Sequence, residues 1–66
     1  MNNKIRVARA EVRMTQQQLA EAVDVSRQTI NAIESGKFVP STVLALKIAR
    51  TFGKSVEEIF SLEEND

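Results

Sequence analysis

Three hydrogen-bonding side chains follow one another directly after a short break in a helical pattern. Arg27 carries a guanidinium, Gln28 an amide and Thr29 a hydroxyl, so the set can both donate and accept hydrogen bonds. Residues 16–23 form the helical pattern before the break, and residues 24–26 form the break itself. The chemistry of this stretch is recognition by hydrogen bonding, and the bend at the break decides what these side chains can reach.

Enzymatic chemistry has little support in the composition. The chain contains no Cys and no His, which excludes thiol and imidazole catalysis, Cys/His zinc sites and disulfides. Glu57 and Glu58 are adjacent acids, but neighbouring residues on a helix point in different directions, and Glu58 has a second explanation as a helix cap. There is also no Gly-rich phosphate-binding loop. We therefore expect no enzyme activity, no metal and no cofactor, and no small-molecule ligand site is evident.

The chain length predicts one small domain, residues 1–66. A chain of this size buries only roughly 60% of its unfolded surface, so it depends on good helix packing, on oligomerisation, or on both. No run of about 18 apolar residues is present, and the charged N-terminus lacks the apolar block of a signal peptide. We expect a cytoplasmic protein with no membrane partner.

The formal net charge is zero, with nine basic and nine acidic side chains. Basic side chains outnumber acidic ones in residues 1–40, and the reverse holds in residues 41–66. The neutral total argues against a nucleic-acid partner, which usually needs a basic surface. The excess of basic side chains in residues 1–40, however, favours a nucleic-acid partner.

Capping residues and apolar spacing predict five helices and no strand with period-two alternation. The first covers about residues 3–13, the second runs from its cap Thr15 to Asp24, the third from its cap Ser26 to Ser35-Gly36, the fourth from its cap Ser41 to Gly53, and the fifth from its cap Ser55 to Phe60. Gln18 and Glu58 complete capping boxes with Thr15 and Ser55. The pattern predicts an all-α fold.

The fourth helix is the most apolar, and we expect all its apolar side chains to lie in the core: Val43, Leu44, Leu46, Ile48, Ala49 and Phe52. Residues 61–66 are polar, and we expect a frayed or short extended tail. Phe60 and Leu62 are the apolar residues that such an extended end would contain.

Two helices joined by three residues cannot lie antiparallel, so the break at residues 24–26 predicts a steep corner, the geometry of a helix-turn-helix. Ala20 is the small residue that the inside of the corner needs. Asp24 tolerates the positive φ that the turn requires, although Gly would do so at less strain. The apolar residues that pin both helices to the domain are Leu19, Val23, Val25, Ile30 and Ile33.

The segments MTQQQLAEAVDVSRQTINAIESGKFVPS and LALKIARTFGKSVEEIF resemble the Cro/C1-type, or XRE-type, helix-turn-helix repressors. The resemblance extends from Ile5 to about Phe60 and places the small residue, the turn, the caps and the Gly-Lys pair in register. Arg13 and Asp24 depart from the pattern, because the family usually has Gly there. The resemblance implies a compact five-helix, lambda-repressor-like DNA-binding domain with its helix-turn-helix at helices two and three.

The resemblance also implies which residues contact DNA. The third helix of the family enters the major groove, and the matching base-contacting positions are Arg27, Gln28 and Ala32, with Thr29 and Asn31 nearby. An Arg fork fits guanine O6 and N7, a Gln amide fits adenine N6 and N7, and Ala32 is small enough to meet a thymine methyl.

Three further residues are implied phosphate contacts, with solvated surface as the alternative explanation for each: Gln16, Gln17 and Lys37. The resemblance pairs Arg9 with Glu34 as a partly buried ion pair between helices one and three. Removing one partner of such a pair would strand the other charge, which costs about 3–5 kcal/mol when the pair is well buried.

The resemblance implies a homodimer on a palindromic double-stranded DNA operator, with half-sites about 34 Å apart. We expect the dimer interface at Phe60 and Leu62, with Val39, although edge-of-core packing explains Phe60 almost as well. The leading hypothesis is a sequence-specific transcriptional regulator, most simply a repressor that occupies a promoter. The alternative is a protein-interaction module such as the antitoxin of a toxin–antitoxin pair, which the neutral net charge favours.

Overall fold

The computed structural model describes all 66 residues as five helices and one small sheet. In chain order the elements are β1 (Asn2–Asn3), α1 (Ile5–Glu11), α2 (Gln16–Val23), α3 (Arg27–Glu34), α4 (Thr42–Thr51), α5 (Val56–Ile59) and β2 (Phe60–Ser61). The five predicted helices are confirmed. None of them is both long and apolar enough to cross a bilayer.

The all-α prediction was only partly correct, because β1 and β2 pair as an antiparallel sheet. Asn2 lies opposite Ser61 and Asn3 opposite Phe60. Because Asn2 and Asn3 belong to this sheet, α1 begins at Ile5. The sequence predicted a helix from about residue 3. The sheet therefore joins the two ends of the chain.

The last residues of the chain fold back against its first residue. The amino group of Met1 lies 3.0 Å from Asp66 Oδ2 and 3.6 Å from Glu63 Oε2. The Glu63 backbone N–H also donates to Asp66 Oδ2 at 2.8 Å, which closes residues 63–66 into a turn. These contacts hold the acidic end of the chain beside β1.

The corner between α2 and α3 forms as the sequence predicted. Thr15 Oγ1 accepts from the Gln18 N–H at 3.0 Å, and Gln18 Oε1 accepts from the Thr15 N–H at 2.9 Å, so the capping box is complete. Asp24 adopts the left-handed conformation, with φ 60° and ψ 49°. Ser26 then caps α3 by accepting from the Thr29 N–H at 3.1 Å.

The core draws on every helix and on the first residue of β2. Its largest fully buried side chains are Ile5, Leu19, Ile30, Ile33, Ile48 and Ile59. Ala20, at the inside of the corner, is also fully buried, which lets α2 and α3 approach closely. Burial of Ile30 and Ile33 fixes which face of α3 turns inward.

The prediction that all apolar residues of the fourth helix belong to the core was wrong for two of them. Val43 is 62% exposed and Leu46 is 54% exposed, whereas Ala45, Ile48 and Ala49 are buried. A ten-residue helix with apolar residues on more than one face cannot turn all of them toward one core. The structure thus leaves an apolar face of α4 in contact with solvent.

Candidate nucleic-acid interface

The exposed face of α3 is opposite the two isoleucines that anchor it. Ile30 and Ile33 are 0% and 1% exposed. Arg27, Gln28 and Asn31 are exposed, and their spacings of three and four residues place Asn31 on the same face as the other two. The structure therefore brings three of the five predicted base-contacting side chains together on one surface.

The other two predicted base-contacting residues lie at the edges of this face. Thr29 is half-buried, and its Oγ1 lies 3.0 Å from Ser26 Oγ, so its hydroxyl belongs to the helix cap. Ala32 is also half-buried, one turn after Gln28. Because Ala32 carries only a methyl group, it leaves the edge of this face beside Gln28 open to close approach.

An ion pair joins α1 to α3, the helix that carries the exposed face. Arg9 Nε donates to Glu34 Oε2 at 2.7 Å, and a second guanidinium nitrogen of Arg9 donates to Glu34 Oε1 at 3.1 Å. A third bond, from Arg9 to the Met14 carbonyl oxygen at 2.9 Å, joins the pair to the segment before α2. The Glu34 side chain is 1% exposed and that of Arg9 is 16% exposed.

Arg9 and its neighbours keep Glu34 ionised although it is buried. Burial acts to raise the pKa of Glu34, but hydrogen bonds from Arg9 and Gln16 outweigh it, and the net effect lowers that pKa below its ordinary value. The same hydrogen bond raises the pKa of Arg9. Arg6 Nε also lies 3.6 Å from Glu34 Oε1, a contact not predicted from the sequence. The i, i+3 spacing of Arg6 and Arg9 on α1 is the signal that could have indicated it.

Gln16 lies between α2 and α3 rather than pointing freely outward. Its Nε2 donates to Glu34 Oε1 at 3.1 Å and to Asn31 Oδ1 at 3.2 Å. Both side-chain N–H groups are thus engaged within the protein. Gln17 differs, because its Nε2 donates at 3.2 Å to Glu21 on its own helix. The two glutamines, both predicted to contact phosphates, therefore have different surroundings.

The start of α2 keeps backbone donors available. The Leu19 N–H makes the first main-chain hydrogen bond of α2, to the Thr15 carbonyl oxygen at 3.1 Å, and the Thr15 side chain satisfies the Gln18 N–H. The N–H groups of Gln16 and Gln17 precede these bonds and have no helical partner. They lie at the positive end of the helix dipole.

Lys37 is exposed directly after the end of α3. Gly36 has φ 80°, which turns the chain, and the Lys37 N–H donates to the Ala32 carbonyl oxygen at 2.9 Å. The backbone at Lys37 is therefore fixed while its ammonium group remains in solvent.

The residues predicted for a dimer interface have unequal exposure. Val39 is 61% exposed and Leu62 is 77% exposed, but Phe60 is 6% exposed and belongs to the core. Phe60 still lines the floor of a groove of about 220 Å³ that Val39 and Leu46 also line. A second groove adjoins it at Leu46 and continues past Val43.

A family model described as helix-turn-helix matches residues 5–59. The chain belongs to the Cro/C1-type helix-turn-helix family. The resemblance inferred from the sequence is therefore confirmed. Within this family, α2 and α3 form the helix-turn-helix, and the chain is a DNA-binding transcriptional regulator.

Two similar relatives match over their full length. An uncharacterised HTH-type transcriptional regulator of Methanocaldococcus jannaschii is 50% identical over 66 residues, which cover all of both chains. The uncharacterised HTH-type transcriptional regulator YgzD of Bacillus subtilis is 47% identical over 66 residues, again covering all of both chains.

A solved structure has the same arrangement of helices. The crystal structure of the clp gene regulator ClgR from Corynebacterium glutamicum superposes with a TM-score of 0.77 at 31% sequence identity. The match covers 82% of this chain and 57% of that chain. The Cro/C1-type domain described here thus corresponds to little more than half of that regulator.

Proposed function

We propose that this chain is a homodimeric, sequence-specific repressor that binds double-stranded DNA by inserting α3 into the major groove. The observation that carries the proposal is the exposed face of α3. Arg27, Gln28 and Asn31 share this face, and the buried Ile30 and Ile33 hold it outward. An α-helix fits the major groove, where each base pair has a distinct pattern of donors and acceptors.

The side chains of this face suit different base edges. The Arg27 fork can donate to guanine O6 and N7 together, and Gln28 can exchange two hydrogen bonds with adenine. Ala32 offers a methyl group to a thymine methyl, while Thr29 contributes at the edge of the contact. Each good bidentate pair provides about 1–3 kcal/mol of discrimination against the wrong base.

Phosphate contacts would set the depth and register of α3. The unpaired backbone N–H groups of Gln16 and Gln17 at the start of α2 are suited to one phosphate. Lys37, exposed just after α3, is suited to another as a point charge. These contacts would supply affinity that does not depend on sequence.

A second copy of the chain is the occupant that we propose for the apolar α4 face, defined as Val43 and Leu46 on α4 together with Val39 in the loop before it. Each of the three is more than half exposed. One α3 contacts few base pairs, so a palindromic operator with two half-sites requires a two-fold pair of domains. Leu62 would extend this interface, with Phe60 as its floor.

The charges around the α4 face fit a two-fold pair. Lys47 and Arg50 border the groove at Val43 and Leu46. Lys54 and Glu57 border the same groove, so it is flanked by charges of both signs. Two copies related by a two-fold axis can therefore bring basic groups of one copy beside acidic groups of the other.

Selection of binding sites from random DNA, with the mass of the selected complex measured alongside, tests this proposal. We expect a palindromic consensus and a complex of two chains per duplex. Enrichment of no sequence at physiological salt would contradict sequence-specific recognition. A consensus bound by a single chain would contradict the dimer alone. Placing the selected site within a promoter then distinguishes a repressor, which lowers transcription, from an activator.

The exposed α4 face also favours a second candidate function, a protein-interaction module such as an antitoxin. In that case the α4 face would contact a different protein. Self-association of the purified chain, measured without DNA, separates the two candidates, because only a homodimer would bury the α4 face when no other protein is present.

A further inference from the structure

A chain of hydrogen bonds connects the buried ion pair to the exposed face of α3. Arg9 on α1 donates to Glu34, and Gln16 on α2 donates to the same carboxylate at 3.1 Å. Gln16 Nε2 also donates to Asn31 Oδ1 at 3.2 Å. Side chains from three helices thus lead from a carboxylate that is 1% exposed to an amide at the surface.

Glu34 determines which way the Gln16 amide turns. An ionised carboxylate can only accept hydrogen bonds, so the Gln16 atom that faces it must be the donor Nε2. Arg9 holds the Glu34 carboxylate in place from its other side at 2.7 Å, which removes its freedom to rotate away. The reversed orientation of Gln16 would set its Oε1 against a carboxylate oxygen.

Gln16 determines, in the same way, which way the Asn31 amide turns. Because Gln16 presents a donor, the Asn31 atom that faces it must be the acceptor Oδ1. This leaves Asn31 Nδ2, with two N–H groups and no partner in the protein, on the exposed face of α3. Asn31 is therefore presented to solvent as a donor.

We propose that Gln16 is a specificity-determining residue, because it fixes Asn31 as a hydrogen-bond donor and so makes Asn31 select guanine. A freely turning Asn recognises adenine with two bonds, accepting from N6 and donating to N7. Because its Oδ1 faces Gln16 on α2, Asn31 presents its Nδ2 instead and loses the first of these bonds. Guanine offers two acceptors, O6 and N7, and no donor on its major-groove edge, so it matches Asn31 Nδ2 better than adenine does.

This inference rests on the proposed function, since it requires α3 in the major groove. It assigns the side chain of Gln16 a role different from a phosphate contact. The side-chain N–H groups of Gln16 are already engaged, whereas its backbone N–H remains available for a phosphate in any substitution except proline. A positioning role predicts a change in base preference, and a phosphate contact predicts uniform weakening.

The test uses the full chain and the operator selected by the unmodified protein. Affinities are measured for every single-base-pair change in one half-site, applied symmetrically, and repeated with Asn31→Ala to identify the position that Asn31 contacts. We expect the unmodified protein to prefer guanine over adenine at that position by roughly tenfold. Gln16→Met keeps the side-chain length but removes both donors, and it should reduce that preference severalfold by releasing Asn31.

Two further variants complete the design. Glu21→Gln changes an exposed residue of the same helix whose side chain bonds to Gln17 and not to α3, so it should leave the base preference at the Asn31 position unchanged. Gln16→Lys retains a donor between Glu34 and Asn31, and it should restore the preference for guanine that Gln16→Met loses. Thermal unfolding shows whether each variant folds. If Gln16→Met does not fold, the base preference of Gln16→Lys is compared with that of Asn31→Ala instead.

The outcomes separate this inference from the proposed function. Failure of the unmodified protein to select any sequence would overturn the proposed function itself. A selected operator at which adenine is preferred by Asn31 would overturn the orientation of its amide. Equal weakening of all sequences by Gln16→Met, with base preference intact, would overturn the positioning role while leaving groove recognition in place.

Discussion

The Arg9 guanidinium and the Glu34 carboxylate meet at 2.7 Å, and this contact joins α1 to the C-terminal end of α3. The Glu34 side chain is almost fully buried, and Arg9 adds a further bond to the Met14 carbonyl oxygen. The pair thus ties the helix that presents Arg27, Gln28 and Asn31 to the part of the chain that precedes α2.

Loss of Arg9 should destabilise the fold because it leaves a buried carboxylate without its main partner. We expect Arg9→Met to lower the free energy of unfolding by about 3 kcal/mol. The double variant Arg9→Met/Glu34→Leu should recover most of this loss, since it removes the stranded charge as well. Urea unfolding of the unmodified protein and both variants measures the difference. Equal losses in the single and double variants would show that packing, not charge, decides the effect.

The same carboxylate should make stability depend on acid pH. The pKa of Glu34 is lower in the folded protein than its ordinary value of 4.5, so the unfolded state binds the proton more readily. Its contribution to stability is therefore present above the ordinary pKa and is lost as the pH falls through the lower, folded pKa. We expect Glu34→Gln to flatten the acid side of a plot of unfolding free energy against pH.

Glu58 and Asp66 provide the background for that measurement. The pKa values of both are also lowered, by backbone hydrogen bonds from Ser55 and Glu63 respectively, and both remain in the Glu34→Gln variant. Some acid dependence should thus persist in that variant. If the acid sides of the plots for Glu34→Gln and the unmodified protein superimpose, Glu34 makes no contribution to the acid dependence of stability.

Arg13 carries backbone strain that a glycine would relieve. Its φ is 56°, and Arg13 and Asp24 are the two non-glycine residues in the left-handed region. Arg13→Ala also removes the arginine side chain, but it keeps Cβ. The free energy of unfolding of Arg13→Gly should therefore exceed that of Arg13→Ala by about 1 kcal/mol. Chemical denaturation of the two variants provides the comparison. A less stable glycine variant would mean that the strain is smaller than the entropy that glycine adds to the unfolded chain.

The apolar α4 face makes a prediction about assembly that can be tested with matched valines. Val43 is 62% exposed on α4, and Val7 is 59% exposed on α1. Val43→Asp should shift the chain toward monomers in sedimentation equilibrium by placing a charge in the proposed interface, whereas Val7→Asp should not. Because both side chains are exposed, neither change should disturb the core. Equal dissociation constants for the two variants would place the interface elsewhere.

Local features of the fold could be predicted from the sequence because neighbouring residues determine them. Thr15 with Gln18, and Ser55 with Glu58, satisfy helix ends within three residues, so both capping boxes could be recognised directly. The turn at Asp24 was predictable for the same reason, since two helical patterns stop and restart around it.

Features that depend on distant residues could not be predicted in this way. The sheet pairs Asn2 with Ser61, and strands of two residues leave no alternating pattern to detect. The exposure of Leu46 follows from how α4 rotates against α2 and α5, which its apolar sequence does not specify. In the site, the exposed residues of α3 could be predicted from its periodicity. The hydrogen bond from Gln16 to Asn31 could not, because it depends on the angle between α2 and α3.

Affinity measurements with Arg27→Ala test the central claim, that the exposed face of α3 recognises base edges, most directly. The variant and the unmodified protein are compared on the selected operator and on all its single-base-pair changes, with thermal unfolding as the control for folding. We predict that Arg27→Ala loses base preference at one position of each half-site, by about 1–3 kcal/mol, with an unchanged unfolding temperature. Uniform weakening at every position, or no change at all, would contradict the claim.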